Sequence, residues 1–370
     1  MRPIAIAAGG TGGHLFPAEA LAAELRARGE RIVLFTDARS AAFDSPAFSN
    51  AERFVLQGAG MAGRNVLAAL RGAGLMARGT LAARRHLGRL DAAAVVGFGG
   101  YPAIPPALAA LSLGARRPVL VLHEQNAVLG RANRMLAARA DALALTYAVT
   151  GKVPTGARPH VVGNPVRPAL AALAGQPYEA PGTGALRLLV TGGSLGARIF
   201  ADVVPAAVAA LPEGLRARLI VTQQCRAEDL ERVRAAYAGT GIPVELSPFF
   251  SDMPRRLATA HLVVARAGAS TLAELACAGR PSVLVPLPSA IDDHQAANAR
   301  ALADCGAALV LPQAEMAAPR LTAALAEWLT APERLARAAR AAASLARPQA
   351  ARDLADLVLA LAHRTLQDTH

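Results

Sequence analysis

The chain has 370 residues, enough for about two domains, and 53% of them are hydrophobic, so each domain can bury a core. Thirty-nine basic residues against 27 acidic ones give a formal net charge of +12, which points to an anionic partner. Lys152 is the single lysine, which excludes a phosphate-binding loop that needs a lysine after its glycines. No stretch approaches the ~18 apolar residues of a membrane-spanning helix.

Short β-rich segments alternate with alanine- and leucine-rich helical segments along the chain. The first helical segment, residues 14–28, places Leu15, Ala18 and Ala22 on one face and ends at Gly29. This alternation predicts parallel sheets joined by helical crossovers. The predicted strands are residues 4–8, 31–36, 94–98, 118–122 and 142–146, then 186–191, 217–222, 243–246, 262–265 and 282–286.

A segment rich in proline and glycine, residues 164–185, separates the two sets of strands and is typical of a linker. The predicted domains are therefore residues 1–163 and 186–345, followed by a C-terminal helical segment at 346–370. Two similar α/β halves of this kind bind ligands at the carboxyl ends of their strands.

The first strand of each half runs into a glycine-rich turn and then a helix. The two turns are Gly9-Gly10-Thr11-Gly12-Gly13-His14 and Gly192-Gly193-Ser194-Leu195-Gly196-Ala197. Backbone N–H groups in such a turn converge on an anion, and the helix dipole adds about half a positive charge. One turn is equally well explained as a tight connection, but two of them favour a phosphorylated ligand.

His14 lies in the first turn of its predicted helix, where the positive helix terminus disfavours the imidazolium form. A neutral imidazole there can accept a proton. A histidine that only hydrogen-bonds the turn explains the position equally well.

A dinucleotide-binding fingerprint is an alternative interpretation of the first turn. Asp37 follows the second strand, where that fingerprint has an acid, but Leu15 stands where it has a third glycine. The match is partial, and a nicotinamide-dependent oxidoreductase remains a competing hypothesis.

Seven motifs follow one another in a fixed order, which is more specific than any one motif. They are Gly9-Gly10-Thr11-Gly12-Gly13-His14, Gly97-Phe98-Gly99-Gly100-Tyr101, His123-Glu124-Gln125-Asn126, Gly163-Asn164-Pro165-Val166-Arg167, Gly192-Gly193-Ser194-Leu195-Gly196-Ala197, Arg266-Ala267-Gly268-Ala269-Ser270-Thr271-Leu272-Ala273-Glu274 and Asp292-Asp293-His294-Gln295-Ala296-Ala297-Asn298. Over about the whole chain, this series closely resembles the MurG family of bacterial UDP-N-acetylglucosamine–lipid I N-acetylglucosaminyltransferases.

The resemblance implies an α/β GT-B fold, with two Rossmann-like parallel-sheet domains facing each other across a cleft. The N-terminal domain would bind lipid I, the C-terminal domain would bind UDP-N-acetylglucosamine (UDP-GlcNAc), and the helix within 346–370 would return to the N-terminal domain. The implied reaction is an inverting transfer of GlcNAc to the C4 hydroxyl of the MurNAc unit of lipid I, which makes lipid II for peptidoglycan. No Asp-x-Asp triplet occurs, so this interpretation requires neither a protein-bound metal nor another cofactor.

In the N-terminal half, the resemblance brings Thr11, Gly12 and Gly13 to the donor sugar or its phosphates and Asn126 to the GlcNAc. An amide that caps the turn after a strand is the alternative for Asn126.

The catalytic base is assigned to His14. Glu124 is the second candidate proton acceptor, and a solvated loop acid is its alternative.

Three further positions are assigned to the nucleotide. By resemblance, Arg167 would lie near it, Ser194 would bind phosphate and Phe250 would form an apolar platform beside the uracil. The alternatives are a surface charge for Arg167 and ordinary core packing for Phe250.

The last binding group comes from two helix starts. By resemblance, Glu274 binds the ribose hydroxyls, although residues 271–274 also fit a capping box that begins at Thr271. Gln295 would bind the GlcNAc hydroxyls from a helix that is capped by Asp292. The backbone of the first helix start would contribute Ala269, Ser270, Thr271, Leu272 and Ala273.

Arginines recur every seven residues at Arg64, Arg71, Arg78 and Arg85, with leucines between them. Glycines at 72, 74 and 79 argue against one continuous helix there, and a solvated basic face is the simplest explanation. The family's membrane patch falls in this region, so we expect peripheral docking on the anionic cytoplasmic face of the inner membrane.

Nucleic acid is not expected as a partner, because only 4% of residues are aromatic and no RNA-binding or zinc-finger pattern occurs. A different GT-B enzyme, such as a transferase to another lipid or a UDP-GlcNAc epimerase, remains the other alternative.

Overall fold

The computed structural model describes residues 2–56, 66–193 and 196–367. The chain divides into two compact units: unit 1 is Met1–Arg167 with Gln349–His370, and unit 2 is Pro168–Pro348. The first division, after Arg167, falls inside the segment 164–185 that the sequence marks as a linker.

Unit 1 is built on a seven-stranded sheet in which all neighbouring strands are parallel, in the order β3-β2-β1-β4-β5-β6-β7. The strands are β1 (Ile4–Ala7), β2 (Ile32–Thr36), β3 (Glu52–Val55), β4 (Ala94–Gly97), β5 (Val119–Glu124), β6 (Ala142–Leu145) and β7 (Pro159–Val161). Ala7 pairs with Phe35 and with Gly97, so the loops that follow β1, β2 and β4 leave the sheet at one edge.

The helices of unit 1 cover both faces of this sheet. They include α1 (Gly12–Ala27), α2 (Val66–Leu90), α3 (Ile104–Leu111) and α4 (Arg131–Leu136). Ile4 and Ile6 pack with α1 on one face, whereas Ala5 and Ala7 lie in the core on the α2 and α3 side. The alternation follows from the period of two along a strand.

Helix α2 corrects the expectation that its glycines interrupt it, because it runs without a break over 25 residues. Gly72 and Gly79 belong to its buried face, together with Met76, Ala83 and Leu87. At these spacings they form one stripe. Helix α2 packs along α3, and small residues in the stripe allow close packing, which offsets the low helix propensity of glycine.

Unit 2 contains a six-stranded parallel sheet in the order β10-β9-β8-β11-β12-β13. Its strands are β8 (Leu186–Thr191), β9 (Leu219–Gln224), β10 (Val244–Ser247), β11 (Leu262–Ala265), β12 (Ser282–Leu284) and β13 (Ala308–Val310). Its helices are α5 (Pro168–Ala171), α6 (Arg198–Ala209), α7 (Glu213–Arg216), α8 (Leu230–Tyr237), α9 (Met253–Thr259), α10 (Ala269–Ala278), α11 (His294–Ala303), α12 (Ala318–Leu329) and α13 (Pro332–Ser344). Thr191 pairs with Ala265, so the turns after β8 and β11 leave at one edge.

The C-terminal helix α14 (Ala350–Gln367) belongs to unit 1. It packs on α1 and β5. Leu354 and Val358 are buried in the same core cluster as Ile4 and Leu25. An ion pair of 2.5 Å between Arg28 and Asp356 joins the two helices at the surface.

Candidate functional site

In unit 1, the first glycine-rich turn is held by the loop that follows β2. Gly10 N donates to Ser40 Oγ at 2.9 Å, and Ser40 N donates to Asp37 Oδ1 at 3.1 Å. A Cβ on Gly9 would lie 2.9 Å from the same Asp37 oxygen, so glycine is required where the two loops meet. Contacts with the loop after β2 therefore define the shape of this turn.

Asp37 is committed to this loop structure. Its carboxylate accepts a hydrogen bond from the Tyr101 hydroxyl, and Arg39 lies 3.4 Å away. Burial alone favours the neutral acid, but the hydrogen bonds from Tyr101 and Ser40 outweigh it and hold the pKa of Asp37 below its usual value. The oxygens that a dinucleotide ribose would need are thus already engaged, which argues against the oxidoreductase hypothesis.

Glu124 ends β5 and is buried. Its Oε1 accepts from Asn126 N at 3.1 Å and Asn126 Nδ2 at 3.0 Å. Its Oε2 accepts from Gly130 N and Asn133 Nδ2, both at 2.9 Å. Four donors satisfy both oxygens, so the geometry favours an orienting role for Glu124 over the proton acceptor suggested by the sequence.

His14 lies at the third position of α1, and its ring is held from two sides. Its Nδ1 is 3.2 Å from Gln125 Oε1. Gly99 and Gly100 have φ values of +81° and +67°, and a Cβ on Gly100 would lie 3.2 Å from His14 Nε2. The backbone of these two glycines therefore runs along the ring, where any other residue would crowd it.

The other unit 1 candidates flank this histidine. Thr11 precedes α1 in an extended conformation, and Gly12 and Gly13 form the start of the helix. The guanidinium of Arg167 stacks 4.7 Å from the centre of the Phe16 ring, also on α1. Unit 1 thus gathers Thr11, Gly12, Gly13 and Arg167 at the start of α1.

In unit 2, the turn after β8 is closed tightly on itself. A Cβ on Gly192 would lie 2.3 Å from Ala197 N, so no other residue fits. Gln224 anchors the turn, because its Oε1 accepts from Gly192 N at 3.2 Å and its Nε2 donates to Gly193 O at 3.1 Å. No sequence motif points to this role of Gln224. Ser194 lies outside the described residues.

The start of α10 corrects the capping box predicted at Thr271. The helix begins at Ala269, its N-cap is Gly268, and Leu272 N donates to Gly268 O at 3.0 Å. Thr271 is therefore inside the helix, and Glu274 follows one turn later on the same side. The helix starts earlier because Gly268 takes the extended conformation of an N-cap residue.

This earlier start decides which groups near residue 270 can meet a ligand. The N–H groups of Ala269, Ser270 and Thr271 belong to the first turn, where donors point along the helix axis. Leu272 differs, because its side chain is buried and its amide is bonded to Gly268. Leu272 therefore has no polar donor to offer, while Ala273 lies in the second turn, where amides serve the helix.

Helix α11 also begins differently from the prediction. Asp293, not Asp292, is its N-cap, and both aspartates have positive φ values, 56° and 53°, with no capping hydrogen bond from the Asp293 side chain. Gln295 Oε1 accepts from Leu287 N at 3.0 Å, so a contact with a sugar would use its Nε2. Asn298 is buried and donates to Ala267 O at 3.2 Å, which ties α11 to the loop before α10.

Phe250 is buried beside a cation. The Arg256 guanidinium lies 4.0 Å from the centre of its ring and also binds Glu245 with two hydrogen bonds of 2.6 and 2.7 Å. One face of the ring is therefore covered by this cation, and only 6% of the residue is exposed, which agrees with the core-packing alternative for Phe250.

The sequence motifs assign no role to Arg266, which directly follows β11 and is buried. It donates to the carbonyl oxygens of Val285 and Pro286 at 3.1 and 3.2 Å and to Gln313 Oε1 at 2.5 Å. These acceptors are neutral, and burial lowers the pKa of Arg266. The guanidinium also lies 5.5 Å from the centre of the Phe200 ring, so none of these contacts supplies a compensating carboxylate.

Helix α2 exposes the predicted basic stripe. Arg71, Arg78 and Arg85 are all exposed, and Arg64 lies outside the described residues. Leu70 and Leu81 are 64% and 55% exposed on the same helix. Among the described residues, no helix is both long and apolar enough to cross a bilayer.

Comparisons with known proteins agree with this architecture. Residues 4–145 match the glycosyltransferase family 28 N-terminal domain, and residues 187–357 match its C-terminal domain. The chain is 57% identical to a UDP-N-acetylglucosamine–N-acetylmuramyl-(pentapeptide) pyrophosphoryl-undecaprenol N-acetylglucosamine transferase of Granulibacter bethesdensis, over 96% of this chain and 93% of the relative. It is 56% identical to the transferase of the same name from Acidiphilium cryptum, over 98% of both chains.

A solved structure gives the same result. The crystal structure of Acinetobacter baumannii MurG superposes with a TM-score of 0.78 at 31% identity, over 97% of this chain and 99% of that one. The predicted GT-B class, with two Rossmann-like parallel-sheet domains, is confirmed.

Proposed function

Because the chain belongs to glycosyltransferase family 28, and within it to the family of these N-acetylglucosamine transferases, we propose that it transfers GlcNAc from UDP-GlcNAc to lipid I. The product is lipid II, the disaccharide precursor of peptidoglycan. The observation that carries the proposal is the identity of 57% over nearly the whole of both chains.

Unit 2 supplies groups for the nucleotide. The turn at 192–197, including Ser194, and the first-turn amides of Ala269, Ser270 and Thr271 bind the diphosphate, since helix starts attract anions. Glu274 accepts from the ribose hydroxyls, Gln295 donates to the sugar, and the uracil rests on Phe250. The turn at 192–197 and the helix start that follows it stabilise the charge on the departing UDP.

Unit 1 supplies the base and groups for the sugar. His14 removes the proton of the MurNAc C4 hydroxyl, whose oxygen then attacks C1 of GlcNAc while the bond from C1 to UDP breaks with its electron pair. Asn126, which Glu124 holds in place, orients the GlcNAc. Thr11, Gly12, Gly13 and Arg167 complete the donor contacts.

One assay tests this proposal. Purified protein, radiolabelled UDP-GlcNAc and a short-chain lipid I analogue should yield a labelled disaccharide lipid, and omission of the acceptor should abolish turnover. Consumption of UDP-GlcNAc without acceptor would instead indicate an epimerase. Exchange of His14 for Gln or Ala should reduce kcat by ~10²–10⁴, the contribution of general base catalysis. An unchanged kcat would exclude His14 as the base.

Helix α2 is proposed to dock the protein on the anionic cytoplasmic face of the membrane. Its exposed leucines and arginines fit a lipid surface, and each arginine near anionic lipid contributes about 1 kcal/mol. Reversing three charges should therefore abolish co-sedimentation with phosphatidylglycerol vesicles. The test variant is Arg71→Glu, Arg78→Glu and Arg85→Glu, and the control with the same change in net charge is Arg337→Glu, Arg340→Glu and Arg347→Glu in unit 2. Equal sedimentation of both variants would refute docking through α2.

A further inference from the structure

Gln125 lies buried between two histidines, and its surroundings fix the orientation of its amide. Its Nε2 is 3.1 Å from Phe98 O and 3.3 Å from His123 O. Carbonyl oxygens only accept hydrogen bonds, so the atom facing them must be the NH₂ group. Rotating the amide by half a turn would press its oxygen against two other oxygens. Gln125 Oε1 must therefore face His14.

His123 leads to the same orientation from the other side. It is fully buried, and its Nε2 lies 2.9 Å from Gly163 O, so this nitrogen carries a hydrogen. Burial lowers the pKa of His123 to about 4, so the ring is neutral at pH 7 and Nδ1 carries a lone pair. That lone pair accepts from Gln125 Nε2 at 3.0 Å.

The orientation of the Gln125 amide determines which ring nitrogen of His14 carries a hydrogen. Gln125 Oε1 has no hydrogen to give, so His14 Nδ1 must donate across the 3.2 Å between them. A neutral imidazole has one N–H, and the hydrogen bond at one nitrogen determines which tautomer is present. We propose that Gln125 is a positioning residue that selects the Nδ1–H tautomer for the neutral form of His14, with the basic lone pair on Nε2.

This inference rests on the proposed function and identifies the nitrogen of His14 that accepts the proton. Nε2 takes the proton of the acceptor hydroxyl as the oxygen bonds to C1 of GlcNAc and UDP leaves with the electron pair of the broken bond. His14 then carries a hydrogen on each nitrogen, and Gln125 Oε1 stabilises the new charge. A Cβ at position 100 would lie 3.2 Å from His14 Nε2, so glycine there keeps a side chain away from this nitrogen.

The tautomer can be observed directly in the whole protein. The chain is labelled with ¹⁵N-histidine, and two-bond ¹H–¹⁵N spectra at neutral to mildly alkaline pH distinguish protonated from unprotonated ring nitrogens. The His14→Gln variant identifies the His14 signals. We expect a protonated Nδ1 and an unprotonated Nε2 in the wild type. The reverse pattern would overturn the proposal, and this result needs no variant at Gln125 to fold.

The Gln125→Met variant then tests the positioning role. It keeps the size of the side chain but removes the acceptor, so His14 should lose its Nδ1–H preference. We expect kcat to fall roughly 10–100-fold, as when the partner of a metal-bound histidine is removed, with KM for UDP-GlcNAc little changed. An unaltered tautomer together with an unaltered kcat would overturn the role.

Gln223→Met is the matched control. Gln223 is equally buried in unit 2, where it donates to Phe200 O at 3.1 Å and accepts from the Tyr237 hydroxyl at 2.7 Å. Its exchange should lower stability but leave the His14 signals unchanged. If the wild type shows Nδ1–H but His14→Gln retains full kcat, the tautomer assignment is supported and the base in the proposed function is refuted.

Discussion

Exchanging Glu124 for glutamine separates an orienting role from a catalytic one. The carboxylate accepts two hydrogen bonds at each oxygen, from Asn126 on one side and from Gly130 and Asn133 on the other. A glutamine has one oxygen, so in either orientation its NH₂ group faces two donors. Two hydrogen bonds to a charged acceptor are lost, each worth about 1.5–3 kcal/mol, so unit 1 should lose about 3–6 kcal/mol.

This loss of unfolding free energy is measured by urea denaturation, with hydrogen exchange of unit 1 amides as the probe. The control is Glu231→Gln, because Glu231 is 86% exposed and its pair with Arg234 should contribute less than about 1 kcal/mol. In the assay, Glu124→Gln should raise KM for UDP-GlcNAc, since Asn126 loses its support. A variant of wild-type stability whose kcat falls by ~10²–10⁴ would refute this reasoning and make Glu124 the base.

Acidification should destabilise unit 1 through His123. The unfolded imidazole binds a proton near its ordinary pKa of 6.5, whereas the buried ring does so only at about 4. The contribution of the neutral ring to the free energy of unfolding is fully present above pH 6.5. It is lost as the pH falls from 6.5 to about 4, which amounts to about 3 kcal/mol at about 1.4 kcal/mol per pH unit. Urea titrations across this range should show a smaller loss in His123→Gln, and an equal loss would contradict the assignment. Gly192→Ala should abolish UDP-GlcNAc binding in calorimetry, because its Cβ meets Ala197 N at 2.3 Å, whereas Gly214→Ala, with open space around it, should bind normally.

Burial separates the strands that the sequence predicted best from two edge strands that it missed. The strands on the interior of each sheet, such as β1 and β11, are fully buried apolar segments and were predicted to within a residue or two. The edge strands β3 and β7 carry Glu52 and His160 among exposed positions, so no apolar segment marks them. Helix α2 shows the opposite case, in which packing against α3 stabilises a helix that propensity disfavours.

The candidate site was also predicted only in part. Motif order predicted the family and the main positions, such as His14 and Glu274. The hydrogen-bond partners that give those positions their chemistry come from distant parts of the chain: His14 and Gln125 are 111 residues apart, and Gln224 reaches its turn from 32 residues away. No local pattern encodes such a pair, so the motifs include Gln125 without indicating its role and do not include Gln224.

The distribution of charge in unit 1 explains why an imidazole, rather than a carboxylate, is proposed as the base. The two acids that the sequence singled out there, Asp37 and Glu124, both have their oxygens engaged by neighbouring loops. Using either as a base would break hydrogen bonds that shape the site, at a cost of several kcal/mol for Glu124. His14 can bind a proton on Nε2 while Nδ1 keeps its hydrogen bond to Gln125, so proton transfer leaves the surrounding structure intact.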